Sequence, residues 1–257
     1  MPTPANLNLR ILTLNIQVGL QSSQYHHYVT GAWRHLVPTR GATANLARIA
    51  ALAAPYDFVA LQEADAGSLR TGKLNQVAHL AQLGNFPYWN AAVTRDLRPF
   101  AQHCLGCLSR WPLQHVQYHA LPGRLPGRGA LEVIIQPAGY EPLRLIMVHL
   151  ALSARVRIPQ LQYLAELVSG YAADTDTLVL GDFNSDNREL SAHGGIQAAG
   201  LHSLHSTPTF PSWAAVRTLD HVLASPTVDV HSTTVLDERL SDHLPVATEI
   251  RLRLAKV

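Results

Sequence analysis

Six short stretches of this sequence place a carboxylate, an amide or an imidazole beside an apolar run. Asn15 follows Leu9-Arg10-Ile11-Leu12-Thr13-Leu14, and Glu63 follows Phe58-Val59-Ala60-Leu61-Gln62. His149 follows Leu145-Ile146-Met147-Val148, while Asp182 and Asn184 follow Leu178-Val179-Leu180-Gly181. Asp220 and His221 open a run, and Asp242 and His243 precede Leu244-Pro245-Val246. A charged group at the end of a buried strand is held rigidly and can converge with others on one cleft. Taken singly, each is an ordinary loop start. Taken together, the oxygen donors suit a hard divalent cation, and the histidines can handle protons or phosphate.

The elements that must position these residues alternate. The spacing predicts strands over Leu9–Leu14, Asp57–Leu61, Cys104–Ser109, Leu113–His119, Ala130–Gln136, Leu143–Val148 and Thr177–Leu180. Further strands are expected over Leu219–Ala224, Val228–Val235 and Val246–Leu254. Helical spacing marks Thr43–Ala54, stopped by Pro55, and Pro159–Tyr171, apolar at Leu161, Leu164, Leu167 and Val168. Several strands follow one another without a helix between them. That argues for two packed sheets flanked by helices rather than a simple doubly wound sheet. No linker divides the chain, so residues 1–257 are expected to form one α/β domain.

Composition narrows the class. The chain has 257 residues, 47% hydrophobic and 15% charged, which excludes a disordered protein and allows a large core. No apolar run reaches the roughly 18 residues of a membrane span, and Met1–Arg10 lacks a secretory pattern. Two cysteines exclude a disulfide scaffold. A soluble, cytoplasmic, monomeric protein is expected. The net charge of +2 identifies no partner. Lys73 and Lys256 are the only lysines; arginine suits bidentate phosphate contact, although a GC-rich genome produces the same bias.

Leu14-Asn15, Leu61-Gln62-Glu63, His149-Leu150, Gly181-Asp182-Phe183-Asn184, Leu219-Asp220-His221 and Ser241-Asp242-His243 together resemble the ordered motifs of the endonuclease/exonuclease/phosphatase superfamily, whose fold is DNase I-like. The resemblance spans residues 9 to 254. It implies a four-layer α/β sandwich of two mixed six-stranded sheets, with the site at one end. It implies a divalent-metal-dependent phosphoesterase using Mg²⁺, with Mn²⁺ able to substitute. Glu63 is expected to ligate the metal, Asn15 to bind it or orient its waters, and Asp242 to contribute. Asp182 is expected to activate the attacking water and Asn184 to donate to the phosphoryl oxygens. His243 matches the catalytic histidine and Asp220 the carboxylate that holds its ring. His149 matches a histidine that contacts phosphate or assists the leaving oxygen, with no partner assignable.

Other residues carry less. His221 follows Asp220 in a strand and should face the opposite side. Asp65 and Asp186 read as solvated loop carboxylates. Cys104 and Cys107 form a Cys-x-x-Cys, but without a second pair they read as residues of a buried strand. Three loops are candidates for substrate selection: Gln21–Arg40 with Tyr25, His26, His27, Tyr28, Trp33 and Arg34; Arg124–Gly129 with Arg128; and Thr209–Trp213 with Phe210 and Trp213. Aromatic and basic residues so mixed can stack a base, hold a sugar or rest on a lipid headgroup. The loops look most like those of a bacterial sphingomyelinase-like, lipid-remodelling subgroup. A lipid headgroup or small phosphorylated metabolite is the expected substrate, with peripheral membrane contact in the lipid case. A DNA or RNA nuclease is the alternative, and its activity should fall steeply with salt.

Overall fold

A computed structural model describes residues 7–20, 40–123 and 127–255. In chain order, β1 (Leu7–Asn15) leads to α1 (Arg40–Ala53), β2 (Phe58–Asp65), α2 (Gln76–Leu83), β3 (Tyr88–Leu97) and β4 (Ala101–Ser109). Then come β5 (His115–Ala120), β6 (Gly129–Ile135), β7 (Leu143–His149), α3 (Ala154–Ser169) and β8 (Asp176–Asp182). The short helices α4 (Asn187–Ala192) and α5 (Gly194–Ala198) precede β9 (His202–Ser203), β10 (Asp220–Ala224), β11 (Asp229–Val235) and β12 (Val246–Leu252). Among the described residues these make two six-stranded sheets, ordered β11-β12-β1-β2-β4-β3 and β5-β6-β7-β8-β10-β9.

Each sheet has one parallel pair at its centre, β1 with β2 and β7 with β8, and antiparallel neighbours elsewhere. A parallel pair needs a long crossover, and helices lie within both connections. The central strands are apolar on both faces because both faces are covered. Leu9, Ile11, Phe58 and Ala60 of one sheet meet Leu145, Met147, Leu178, Leu180 and Val222 of the other. Leu12, Leu14, Val59 and Leu61 point the other way, onto Leu46 and Ile49 of α1 and Leu80 of α2. On the far side Ile146, Val148 and Val179 pack against Leu161 and Leu164 of α3. The result is the four-layer α/β sandwich of the DNase I-like fold.

The helix expected from Pro159 starts five residues earlier, at Ala154, with Pro159 inside it. Proline suits a helix start, but here it stands in the second turn, where it leaves the Arg155 carbonyl without its intrahelical N–H. The strand expected at Leu113 begins at His115. Several elements escaped the sequence reading: the short helices α2, α4 and α5, the two-residue strand β9, and β3, an edge strand exposed along most of its length. A two-sided polar edge strand offers no alternation to read.

Asp65 is not a solvated loop carboxylate. It is fully buried at the end of β2. Its Oδ1 accepts the N–H groups of Gly67 (2.8 Å) and Ser68 (2.7 Å). Its Oδ2 accepts from Ser68 Oγ (2.8 Å), Arg70 Nε (2.6 Å) and the Gln102 N–H (3.0 Å). Burial alone would raise its pKa. The N–H donors of Ser68, Gln102 and Gly67, with the Ser68 hydroxyl, outweigh it and lower the value from 3.8 to about 2. This one carboxylate ties the turn after β2 to β4. Asp65→Asn leaves Arg70 buried without its counter-charge and is expected to lower unfolding stability by about 3–5 kcal/mol at neutral pH. Because the folded value is depressed, the stabilisation is complete above about pH 4 and fades as pH falls toward 2. Urea unfolding of both proteins at neutral pH and near pH 2.5 should show the gap narrowing in acid.

Candidate active site

The register of the second sheet sets a row of polar residues across three adjacent strands. His149 of β7 pairs with Asp182 of β8, and Asp182 pairs with Asp220 of β10. Alternation along each strand then fixes direction. Met147, Leu180 and Val222 face the core between the sheets, so His149, Asp182 and Asp220, two residues further on each strand, face the same gap at its open end. Asn15 continues the inward row of Leu9 and Ile11 on β1. The two sheets therefore bring their polar ends together beyond the carboxyl ends of both parallel pairs, where ligands bind in open α/β sheets.

Asp182 is the centre of this arrangement. Its Oδ2 accepts from Asn15 Nδ2 (3.1 Å), and its Oδ1 accepts the Asn184 backbone N–H (2.9 Å). His149 Nε2 lies 3.5 Å and His243 Nε2 3.9 Å from Oδ2. The chain reaches Asp182 through Gly181 at φ 135°, where an added Cβ would stand 2.2 Å from the Val148 carbonyl oxygen. Only glycine allows the two strands this close at the site. Asn184 adopts φ 51°, and its Nδ2 donates to the Leu150 carbonyl (3.0 Å), leaving its second amide N–H available.

Glu63 arrives by a different device. The alternation that turns Leu61 outward would carry Glu63 outward too. The pairing of β2 with β4 slips between Leu61 and Ala64, and Glu63 takes φ 55°. Such a bulge re-aims a side chain at a strand end. Its Oε1 reaches 3.6 Å from His149 Nε2.

The Ser241-Asp242-His243 turn is pinned to the first sheet, with Ser241 Oγ donating to the Asn15 carbonyl (2.6 Å). His243 Nδ1 meets Asp220 Oδ2 at 2.8 Å. The same Oδ2 accepts from Thr209 Oγ1 at 2.6 Å, and the Thr209 hydroxyl oxygen accepts the Leu219 and Asp220 N–H groups at 3.1 and 3.2 Å. Thr209 and Ser241 were missed as positioning residues. Nothing in the spacing of Thr209 from Asp220 signals contact, because a loop, not a helix or strand period, brings them together. Asp242 is buried, and its backbone carbonyl accepts the Ser212 N–H (2.8 Å).

Charge is crowded here. Burial, and then the negative charges of Asp220 and Glu63, raise the Asp182 pKa to about 7 against the opposing pull of His243. Burial would lower His243, but Asp220 and Asp182 hold it well above the ordinary imidazole value. Burial and the Arg128 guanidinium push His149 well below it. Among the described residues, two groups have donor atoms close enough to share a metal ion: Glu63, His149 and Asp182, and Asp182, Asp220 and His243. The carboxylates that desolvation and mutual repulsion penalise are what a cation would relieve, and Glu63 remains partly open to receive it. The donor set fits a divalent metal.

Other expectations sort as follows. Arg128 joins the site, with its Nη1 against His149 Nε2. That gives His149 the neighbours the sequence could not supply: Arg128, Glu63 and Asp182. The Phe210 ring lies 4.9 Å from the His243 ring, and Trp213 is half-buried one turn further on. Trp33, the rest of 21–39 and Arg124 lie outside the described residues. His221 does face away, bonding Ser185 O (2.8 Å) and Ser203 Oγ (3.2 Å) beside Phe183. Asp186 caps α4 by accepting the Glu189 N–H (2.9 Å), a more specific duty than a solvated carboxylate. Cys104 and Cys107 are buried free thiols, each pushed by burial to about 12.

Comparison with known proteins agrees with this geometry. The model of the endonuclease/exonuclease/phosphatase family matches residues 12–243. No curated protein matches the sequence significantly. Among solved structures, an endonuclease/exonuclease/phosphatase from Beutenbergia cavernae is similar at 22% identity over 96% of this chain and 72% of its own, with a TM-score of 0.74. A mannosyl-6-phosphatase from Bacteroides thetaiotaomicron is similar at 16% identity over 94% and 99%, TM-score 0.70. Sphingomyelinase C from Streptomyces griseocarneus is similar at 17% identity over 96% and 99%, TM-score 0.67. The chain belongs to the endonuclease/exonuclease/phosphatase family, whose members are metal-dependent phosphoric ester hydrolases.

Proposed function

We propose that this protein hydrolyses a phosphate ester of a lipid headgroup or a small phosphorylated metabolite, by attack of a water that Asp182 activates. One observation carries the reading: a buried carboxylate with a raised pKa stands between two histidines, 3.5 and 3.9 Å away, at the mouth of the sandwich. A carboxylate poised near neutrality is a far better base than an ordinary one. Asn15 and the Asn184 N–H fix its two oxygens.

In this reading the Asp182 carboxylate orients the water and takes its proton as the new phosphorus–oxygen bond forms and the ester phosphorus–oxygen bond breaks, the leaving oxygen departing as an alcohol with a proton drawn from solvent. His243, kept as imidazolium by Asp220 and Asp182, faces the phosphoryl oxygens with Nε2. Arg128, His149 and the free amide N–H of Asn184 donate to the same group as its charge grows. Glu63, with the further contributions of Asn15 and Asp242 that the motifs imply, would hold Mg²⁺ or Mn²⁺, which would supply charge neutralisation on the phosphate. The Phe210 ring, packed on His243, forms one wall for the substrate. The substrate class is supported by a basic complement that is almost wholly arginine, and by similarity to proteins named as a sugar phosphatase and a sphingomyelinase.

The test is hydrolysis of a panel of phosphate esters with Mg²⁺ or Mn²⁺: phospholipids including sphingomyelin, sugar and inositol phosphates, bis-p-nitrophenyl phosphate, plasmid and single-stranded nucleic acid. Turnover of a lipid or metabolite without plasmid nicking supports the proposal; nicking as the dominant activity replaces it with a nuclease. Asp182→Asn should cost about 10²–10⁴ in kcat, with a smaller loss of metal affinity than Glu63→Gln causes. Glu63→Gln should weaken metal affinity and activity together, read by calorimetric titration of Mn²⁺ beside the rate. A wild-type rate in Asp182→Asn on the best substrate would remove the role given to that carboxylate.

A further inference from the structure

Two cavities meet at Arg95 and Arg128. The smaller, about 180 Å³, is lined by Glu63, His103 and His149 and belongs to the site described above. The larger, about 660 Å³, lies on the other side of the two arginines, toward the loop between β7 and α3. It is far roomier than a phosphate requires and falls within the size range of small-molecule sites. Its walls are apolar, formed by Pro122, Leu152, Val156 and Pro159. Its charged groups are all arginine: Arg95, Arg128 and Arg155.

The charges are unbalanced in a specific way. Arg128 faces Glu63 and Asp182, so its charge is shared with the catalytic pocket. The Arg95 and Arg155 guanidinium groups, by contrast, have no hydrogen bond or ion pair with any described residue, and among the described residues no carboxylate lines the cavity. Arg70 is paired with Asp65, Arg157 with Glu189 and Arg253 with Asp176; what sets Arg95 and Arg155 apart is that both line one apolar cavity. Leu152, at the rim, is 76% exposed although it sits between the buried Ala151 and the first turn of α3. An apolar wall with two unneutralised guanidinium groups suits one kind of occupant, an apolar group that carries a negative charge.

We propose that this cavity is a substrate subsite for the non-reacting part of the phosphate ester, an alkyl or acyl chain bearing a second anionic group. The proposal rests on the phosphoesterase reading above and narrows it to anionic amphiphiles. The phosphate under attack sits at Asp182 and His149. Arg128 stands at the junction, and Arg95 and Arg155 hold the second anion while Leu152 and Val156 cover the chain. A zwitterionic choline headgroup would present the wrong charge to this subsite.

Calorimetric titration of octane-1-sulfonate into the full chain tests this without any turnover. Inorganic sulfate and octyl glucoside supply the charge alone and the chain alone. Octanesulfonate is expected to bind about tenfold tighter than either control. Arg95→Ala and Arg155→Ala should each weaken it about tenfold, with unchanged thermal midpoints because both side chains are exposed. Leu152→Asp should weaken it as well. Equal affinity in wild type and both arginine variants overturns the proposal, and so does octyl glucoside binding as tightly as octanesulfonate. A short single-stranded oligonucleotide that binds through Arg155 where octanesulfonate does not would reassign the surface to nucleic acid. Arginine-dependent octanesulfonate binding by a chain that hydrolyses none of the phosphate esters would remove the reaction proposed above and leave the anionic subsite standing.

Discussion

The buried carboxylate of Asp182 is the constraint on which the rest depends. A carboxylate withdrawn from water at this depth must find donors or take up a proton. The fold supplies donors from both sheets. Asn15 ends the central strand of one sheet and donates to Asp182 at the end of the central strand of the other, across 167 residues of sequence. Ser241 ties its own turn to the Asn15 carbonyl and so delivers His243 to the same point. The two halves of the sandwich are therefore aligned at their polar end by hydrogen bonds, and along their length by the packing of Leu9, Ile11 and Phe58 on Leu145, Met147 and Leu180. The apolar layer sets the spacing of the sheets; the polar end sets their rotation.

Much of this was legible in the sequence because strand periodicity carries direction. His149, Asp182 and Asp220 each sit two residues from an inward-facing apolar residue, and Asn15 follows Ile11 and Thr13 on the inward row of β1, so that row could be continued to the strand end by counting. The same count put His221 on the opposite face, where it bonds Ser185. Glu63 was identified by motif, although the count would have turned it outward; the bulge that rescues it leaves no mark in composition. Asp65 was misread for a related reason. Its donors come from the turn that follows it and from Gln102 on a different strand, and neither can be inferred from a lone acidic residue after a strand. Thr209 was hidden because its partner is fixed by a loop. Periodicity describes what regular elements do, and the supporting contacts here are made mostly by irregular ones.

Two of the backbone positions held in the left-handed region lie where the polar residues are. Glu63 and Asn184 both occupy the left-handed region, at φ 55° and 51°, and Gly181 lies at φ 135° against the Val148 carbonyl. Non-glycine residues in that region cost of order 1–3 kcal/mol each, and they persist when the surroundings over-determine them. Here the surroundings are explicit. Phe183, fully buried beneath α3 and α5, anchors the chain between Asp182 and Asn184. Ala64, on the far side of Glu63, is buried against α2. The outer helical layers thus do more than cover the sheets. They hold two unfavourable turns in place, so that a carboxylate and an amide point into the cleft rather than along their strands.

This arrangement separates what must be constant from what can vary. The row His149, Asp182 and Asp220 is a consequence of backbone register, and changing it would require a strand to slip, reversing every core side chain on that strand. The larger cavity is built differently. Its arginines come from β3, from the chain entering β6 and from the first turn of α3, and none of them is needed to pair the strands. Substitutions there alter charge and shape without disturbing the row behind. A fold with this division can keep one reaction and exchange its substrates.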